Sequence, residues 1–155
     1  GQRRPERICQ RLERKREKNM SESSFWALLR NNLPLKMYRV ENRVMRGMPD
    51  VHYILNGKSG WIELKYVEDW AKRGRFTSGL RSSQTFWAEQ HIIEGGKSWF
   101  LFRIGRDFMI LIDGQKGKRL LERPAKKDVV EMATWHKQGN MSSEDWIELA
   151  NVIAC

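Results

Sequence analysis

Apolar and polar residues follow two different periods along this chain of 155 residues. Phe25, Leu28 and Leu29 have the three-and-four spacing of a helix, and Ser21 before them is a suitable N-cap. The pattern therefore predicts a helix that starts at Ser21 and ends before Pro34. Residues 36–40 alternate in character and predict a strand.

A β-hairpin is predicted next. The segments VHYIL (51–55) and WIELKY (61–66) are composed like strands, and NGKSG (56–60) between them carries the Asn-Gly pair typical of hairpin turns. Side chains alternate faces along a strand, so Glu63 and Lys65 share one face. Asp50 comes just before the first strand, and the hairpin is expected to bring it near Glu63.

The rest of the chain predicts a loop, three helices and two strands. Residues 68–81 lack periodicity, as in a functional loop or lid. Ser82 or Ser83 is expected to cap a helix that Gly95-Gly96 ends, and strands are predicted over 98–104 and 108–113. Helices follow over about 125–136 and 143–153. This order predicts a mixed α/β fold around a partly parallel sheet.

Positive charge narrows the choice of partner. The chain has 29 Lys and Arg against 19 Asp and Glu, a formal net charge of +10. Such an excess favours a polyanion, above all nucleic acid. No apolar run is long enough to span a membrane and none is typical of a signal peptide, so no membrane partner is expected. Cys9 and Cys155 form no metal-binding spacing and no disulfide framework, which favours a reducing cytoplasm.

Residues 1–20 differ from the remainder in composition. They hold eight Arg or Lys against three Glu. This segment is interpreted as a basic arm that is solvated or disordered, as an arm that grips phosphates, or as residues ahead of a natural start at Met20. The expected organisation is this arm, a core over 21–113, and a basic linker with a C-terminal helical pair over 114–155.

The carboxylates of the hairpin indicate metal chemistry. Asp50 and Glu63 offer the oxygen ligands that Mg²⁺ prefers, and the backbone carbonyl of Leu64 can complete the set. Lys65 can orient or deprotonate an attacking water, or hold a phosphate. Together they suit metal-assisted attack on a phosphodiester. On spacing alone the alternative stays open that Glu63 and Lys65 are an edge-strand charge pair beside an ordinary turn.

The segment Gly47-Met48-Pro49-Asp50, then twelve residues, then Glu63-Leu64-Lys65 resembles the PD-(D/E)XK nuclease motif. The resemblance covers roughly residues 21–113 and is greatest to the VRR-Nuc branch, the virus-type replication-repair nucleases. That branch also has a Glu in the first helix and a Gln opening the second, which here fall on Glu22 and Gln84.

The resemblance implies a restriction-endonuclease-like core of order α-β-β-β-α-β. It also implies metal ligation by Asp50 and Glu63, a catalytic Lys65, a Glu22 that reaches the metal directly or through water, and a Gln84 that positions water or the lysine. The expected activity is a Mg²⁺-dependent DNA endonuclease, with Mn²⁺ as a substitute and no small-molecule cofactor.

The expected substrate is duplex or branched DNA, such as a junction, cut by a phage-type homodimer in the cytoplasm (of the host cell, if phage-encoded). Two alternatives stay open: a sequence-specific or homing endonuclease of the same fold, and a non-catalytic DNA-binding module. Basic residues that flank the site are expected to contact DNA phosphates. They are Arg39, Arg43, Arg46, Lys58, Lys72, Arg73, Arg75 and Arg81.

Overall fold

The structure is a computed structural model that describes residues 21–41, 45–70 and 74–155. Its helices are α1 (Glu22–Asn32), α2 (Ser82–Ile93), α3 (Gly117–Leu121), α4 (Lys126–Met132) and α5 (Ser143–Ile153). Its strands are β1 (Lys36–Arg39), β2 (Val51–Leu55), β3 (Lys58–Val67), β4 (Ser98–Ile104), β5 (Phe108–Asp113) and β6 (Trp135–Gln138). A 3₁₀ turn, Gly114–Lys116, precedes α3.

One sheet contains all six described strands, in the spatial order of the sequence. Every neighbouring pair is antiparallel except β3 and β4, which run parallel because α2 connects them as a crossover. The predicted mixed α/β class is confirmed, with the α-β-β-β-α-β order of its core and helices after it.

The hairpin that carries the candidate site has a tighter turn than predicted. The turn is Asn56-Gly57 alone, with φ angles of 51° and 76°, and β3 already begins at Lys58. A two-residue hairpin turn requires the left-handed region at both positions, and Asn and Gly are the residues that adopt it most easily. The register pairs Val51 with Ile62, so Asp50 lies level with Glu63.

The C-terminal part differs from the prediction in two places. The segment predicted as a basic linker contains the 3₁₀ turn Gly114–Lys116 and the helix α3, Gly117–Leu121. The helix expected over about 125–136 ends at Met132, and Trp135–Gln138 forms β6 on the edge of the sheet against β5. Leu111 pairs with Trp135, whose side chain is buried there. The apolar spacing past Met132 favours a longer helix, but burial of the Trp135 indole on the sheet favours a strand and outweighs it.

The core lies on both faces of the sheet. On one face, α1 and α5 pack Phe25, Leu29 and Leu149 against the strands. Tyr53 joins this layer, because its hydroxyl donates to the carbonyl of Ile153 (3.1 Å). The opposite face packs against α2, α3 and α4, with residues of the 74–81 loop included.

No helix in the described ranges is long and apolar enough to cross a membrane. The basic arm over residues 1–20 lies outside those ranges.

Candidate functional site

Asp50 is a buried carboxylate that links β2 to β3 at the end of the hairpin away from the turn. It is 4% exposed, and its Oδ2 accepts a hydrogen bond from the backbone N–H of Leu64 (3.3 Å). The pairing of β2 with β3 stops at Val51 and Ile62, so this N–H lies beyond the ladder and the carboxylate takes it. The predicted approach of Asp50 to the Glu63-Leu64 segment is therefore present.

Glu63 is buried as well and is bound by the second helix. It is 2% exposed, and the side-chain amide of Gln84 donates to its Oε1 (2.7 Å). The other end of the same amide, Oε1 of Gln84, accepts from the N–H of Arg81 (2.9 Å). Because both ends are engaged, the amide orientation of Gln84 is fixed and its N–H group points at the carboxylate.

The N-cap of α2 differs from the prediction because Gln84 bonds the N–H of Arg81. Arg81, not Ser82 or Ser83, is the N-cap, and Ser82 is the first helical residue. The amide oxygen of Gln84, three residues after the N-cap, accepts from the N–H of Arg81, which is the N3 half of a capping box. Gln84 was the sequence signal for this start.

Lys65 joins the strand carboxylate to the first helix. Its Nζ lies 3.8 Å from Glu63 Oε1 and 3.7 Å from Glu22 Oε1. The side chain of Lys65 is 15% exposed and that of Glu22 is 47% exposed, so the pair opens toward solvent on the side of α1. The structure thus brings Glu22, Glu63, Lys65 and Gln84 into one connected network.

Gly47 holds the loop before Asp50 against the start of α2, a contact that the sequence did not predict. Its φ is +84°, and a Cβ added there would lie 2.1 Å from the carbonyl oxygen of Ser83 and 3.0 Å from the backbone nitrogen of Gln84. No side chain fits between the two segments. The loop that ends in Asp50 and the helix that carries Gln84 are therefore fixed relative to each other by backbone contact.

Aromatic rings also hold α2 against the hairpin, one to two helical turns after Gln84. Trp61 of β3 meets Trp87 of α2 edge to face at 5.7 Å, and Trp87 stacks on His91 at 4.7 Å. His52 lies 4.9 Å from Trp61 on the hairpin side. Burial lowers the pKa of His91, and nearby His52 lowers it further, so His91 is uncharged at neutral pH and serves packing.

The donor set fits a hard divalent cation. Within the described residues, no group of three or more His, Cys, Asp or Glu side chains is placed to hold a metal by itself. Mg²⁺, however, commonly takes one or two carboxylates and completes its shell with water and substrate phosphate. Asp50 and Glu63 supply two buried carboxylates, and with Glu22 and Lys65 the formal charge of the cluster is −2. A divalent ion balances that charge.

The predicted DNA-binding residues are spread over the surface. Arg39, Arg46, Arg75 and Arg81 are exposed. Arg39 pairs across the sheet with Val51, the residue after Asp50, and Arg81 lies three residues before Gln84. Lys58 lies at the turn end of β3, five residues from Glu63 and thus about 17 Å away along the strand. Arg43, Lys72 and Arg73 lie outside the described residues.

No protein-family model and no curated protein matches the sequence. Among solved structures the chain is similar to that of Hjc, a Holliday junction resolvase from the archaeal hyperthermophile Archaeoglobus fulgidus. The two chains are 15% identical, with a TM-score of 0.38. The match covers 52% of this chain and 66% of the archaeal chain, just under two thirds.

Proposed function

We propose that the chain is a divalent-metal-dependent DNA endonuclease of the PD-(D/E)XK type, nearest to the VRR-Nuc branch. The observation that carries the proposal is a network of four side chains, those of Glu63, Gln84, Lys65 and Glu22. Beside it, the carboxylate of Asp50 accepts from the backbone N–H of Leu64. Two buried carboxylates and one ammonium at the end of a sheet are costly to fold unless they serve a ligand or a reaction.

Each residue has a part in hydrolysis. Asp50 and Glu63 would hold the cation, which when bound would supply Lewis acidity to the scissile phosphate and lower the pKa of a water. Gln84 fixes the rotamer of Glu63 through its amide. Lys65, held between Glu63 and Glu22, presents Nζ protons to the phosphate or to the water. The water oxygen bonds to phosphorus as one of its protons passes to solvent, the P–O3′ bond breaks, and the leaving 3′ oxygen takes up a proton from solvent.

The finer parts of the proposal concern substrate and assembly. The proposed substrate is branched DNA, read through backbone shape, and the proposed cofactor is Mg²⁺ with Mn²⁺ as a substitute. The active species is proposed to be a homodimer, because paired cuts in opposite strands need two sites. A phage-type replication-repair role belongs to the same proposal.

The test compares a four-way junction with a linear duplex of the same sequence, each incubated with Mg²⁺. Wild type is expected to cut the junction faster, while Asp50→Asn and Lys65→Met lose about 100-fold or more in rate. Lys97→Met is the matched control, since Lys97 is exposed at the opposite end of the parallel strands.

The possible results separate the alternatives. Intact DNA under every metal condition sinks the nuclease assignment. Discrete fragments from a linear plasmid, without preference for the junction, support sequence recognition instead. A monomeric mass at the working concentration removes the dimer from the proposal.

A further inference from the structure

We propose that a second surface of this protein, beside the site, binds the phosphates of the duplex arm that flanks the scissile bond. The surface, here named the basic shelf, consists of Arg75, Arg119, Arg123, Lys126 and Lys127. This inference rests on the proposed nuclease function and identifies where the substrate's flanking duplex lies. The shelf comes mostly from the segment after β5, which the core of the nuclease resemblance leaves out.

The shelf is attached to the helix that delivers Gln84. Gly117, the first residue of α3, lies so close to Thr85 of α2 that an added Cβ would be 2.8 Å from the threonine side chain. Lys118 then pairs with Glu89 of α2 (3.1 Å). The exposed cations that follow are therefore placed relative to Gln84, which is the neighbour of Thr85.

The loop before α2 is attached to the same segment. The N–H of Phe76 donates to the carbonyl of Pro124 (2.8 Å), and the Phe76 ring is fully buried against Phe102. Arg75 and Arg123 are therefore on backbone segments joined by a hydrogen bond. Burial also excludes Phe76 from stacking on a DNA base.

The cations of this segment divide into two groups. Residues 114–128 contain six Lys or Arg and two acids, a net charge of +4. Lys116 donates to the carbonyl of Met132 and Lys118 pairs with Glu89, so both have structural partners. In the part of the chain that the structure describes, the other four are exposed and in no ion pair, and one of them, Lys126, lies over the ring of Trp70 at 5.0 Å. They are Arg119, Arg123, Lys126 and Lys127.

Arg123 also occupies a backbone conformation that its side chain disfavours. Its φ is +57°, in the left-handed region that glycine adopts without strain. Arg123 takes this conformation where α3 ends, with its N–H donating to the carbonyl of Leu120 (3.2 Å), a position at which glycine is the usual residue. An arginine there carries a backbone cost that a glycine would avoid.

Several exposed cations without ion pairs, on segments packed against α2, fit duplex DNA better than they fit a small anion or an acidic peptide. Base-independent phosphate contacts also match a protein that recognises DNA shape. Each phosphate neutralised releases counterions, so binding through the shelf must depend steeply on salt.

The test is the salt dependence of equilibrium binding to a junction with long duplex arms, measured in EDTA so that no cleavage occurs. The variant Arg123→Gln/Lys127→Gln removes two shelf charges, and Lys36→Gln/Lys97→Gln removes two exposed charges elsewhere. The slope of log K against log salt is expected to flatten by about 1.8 in the shelf variant, at about 0.9 per lost phosphate contact, and to stay unchanged in the control. Equal changes in both variants, or none in either, overturn the shelf.

A single variant separates the side chain of Arg123 from its backbone. Arg123→Gly relieves the left-handed strain, so its thermal stability is expected to equal or exceed that of wild type while DNA binding weakens several-fold. Unchanged binding by Arg123→Gly removes Arg123 from the shelf. Because both measurements are made without metal, they stand or fall separately from the cleavage test on Asp50 and Lys65.

Discussion

Replacing Gly47 with alanine is the sharpest test of how the site is assembled. The added Cβ would meet the carbonyl oxygen of Ser83 at 2.1 Å, and the residue has a φ of +84°. Left-handed backbone costs a non-glycine residue about 1–2 kcal/mol. Overpacking against backbone adds about 1–3 kcal/mol. The total expected loss in the free energy of unfolding is about 2–5 kcal/mol, measured by urea denaturation.

Activity is expected to fall further than stability alone explains. The clash separates the loop that ends in Asp50 from the helix that carries Gln84, and a displacement of about 1 Å at a catalytic group can cost about 100-fold in rate. Cleavage of the preferred DNA by Gly47→Ala, at a temperature where the variant remains folded, measures this loss.

Gly139→Ala is the matched control. Gly139 has a φ of +93°, but an added Cβ there meets nothing within 4 Å. It therefore imposes the backbone strain without the clash, and it is expected to cost about 1–2 kcal/mol with no effect on cleavage. If the two variants lose the same stability and the same activity, the contact between Gly47 and Ser83 does not position the site.

Two further predictions concern stability. Tyr53→Phe removes a hydroxyl that donates to Ile153 and accepts from the indole N–H of Trp99, and the two abandoned groups are expected to cost about 1–3 kcal/mol in urea denaturation. Burial raises the pKa of Tyr53 above 10.0. The neutral hydroxyl therefore contributes its full stabilisation of the fold below about pH 10, and this stabilisation declines as the pH rises further. Tyr53→Phe should lack that decline. Hydrogen bonds from Ser142 lower the pKa of Asp145 below 3.8. The ionised carboxylate therefore stabilises the fold above pH 3.8, and this stabilisation is lost as the pH falls through the pKa that Asp145 has in the folded protein. Asp145→Asn should be less stable than wild type at pH 7, with the gap closing in acid; a gap independent of pH contradicts this.

Local patterns predicted the hairpin and most helices because each depends on neighbouring residues. Asn56-Gly57 specifies a turn, and Ser142 with Asp145 specifies the start of α5, whatever surrounds them. The strands over 98–104 and 108–113 were correct to the residue, since continuous apolar runs bounded by turn residues leave little choice.

The features that were missed depend on distant partners. β6 exists because β5 offers an edge and a place for Trp135, neither of which is visible near residue 135 in the sequence. The choice of Arg81 as the N-cap of α2 follows from the side chain of Gln84, and the need for glycine at position 47 follows from Ser83, thirty-six residues later. The roles of Asp50, Glu63, Lys65, Glu22 and Gln84 stay predictions, which the cleavage variants test.

The hydrogen bond from Tyr53 to Ile153 joins residues 100 positions apart. During synthesis from the N-terminus, β2 is therefore complete long before its partner, α5, has been made. Contacts of such separation are slow to form and leave apolar surface open meanwhile. Residues 21–113 made alone would lack the acceptor for Tyr53 and the cover of α5, so we expect that fragment to be degraded by proteases and not to persist as a small nuclease.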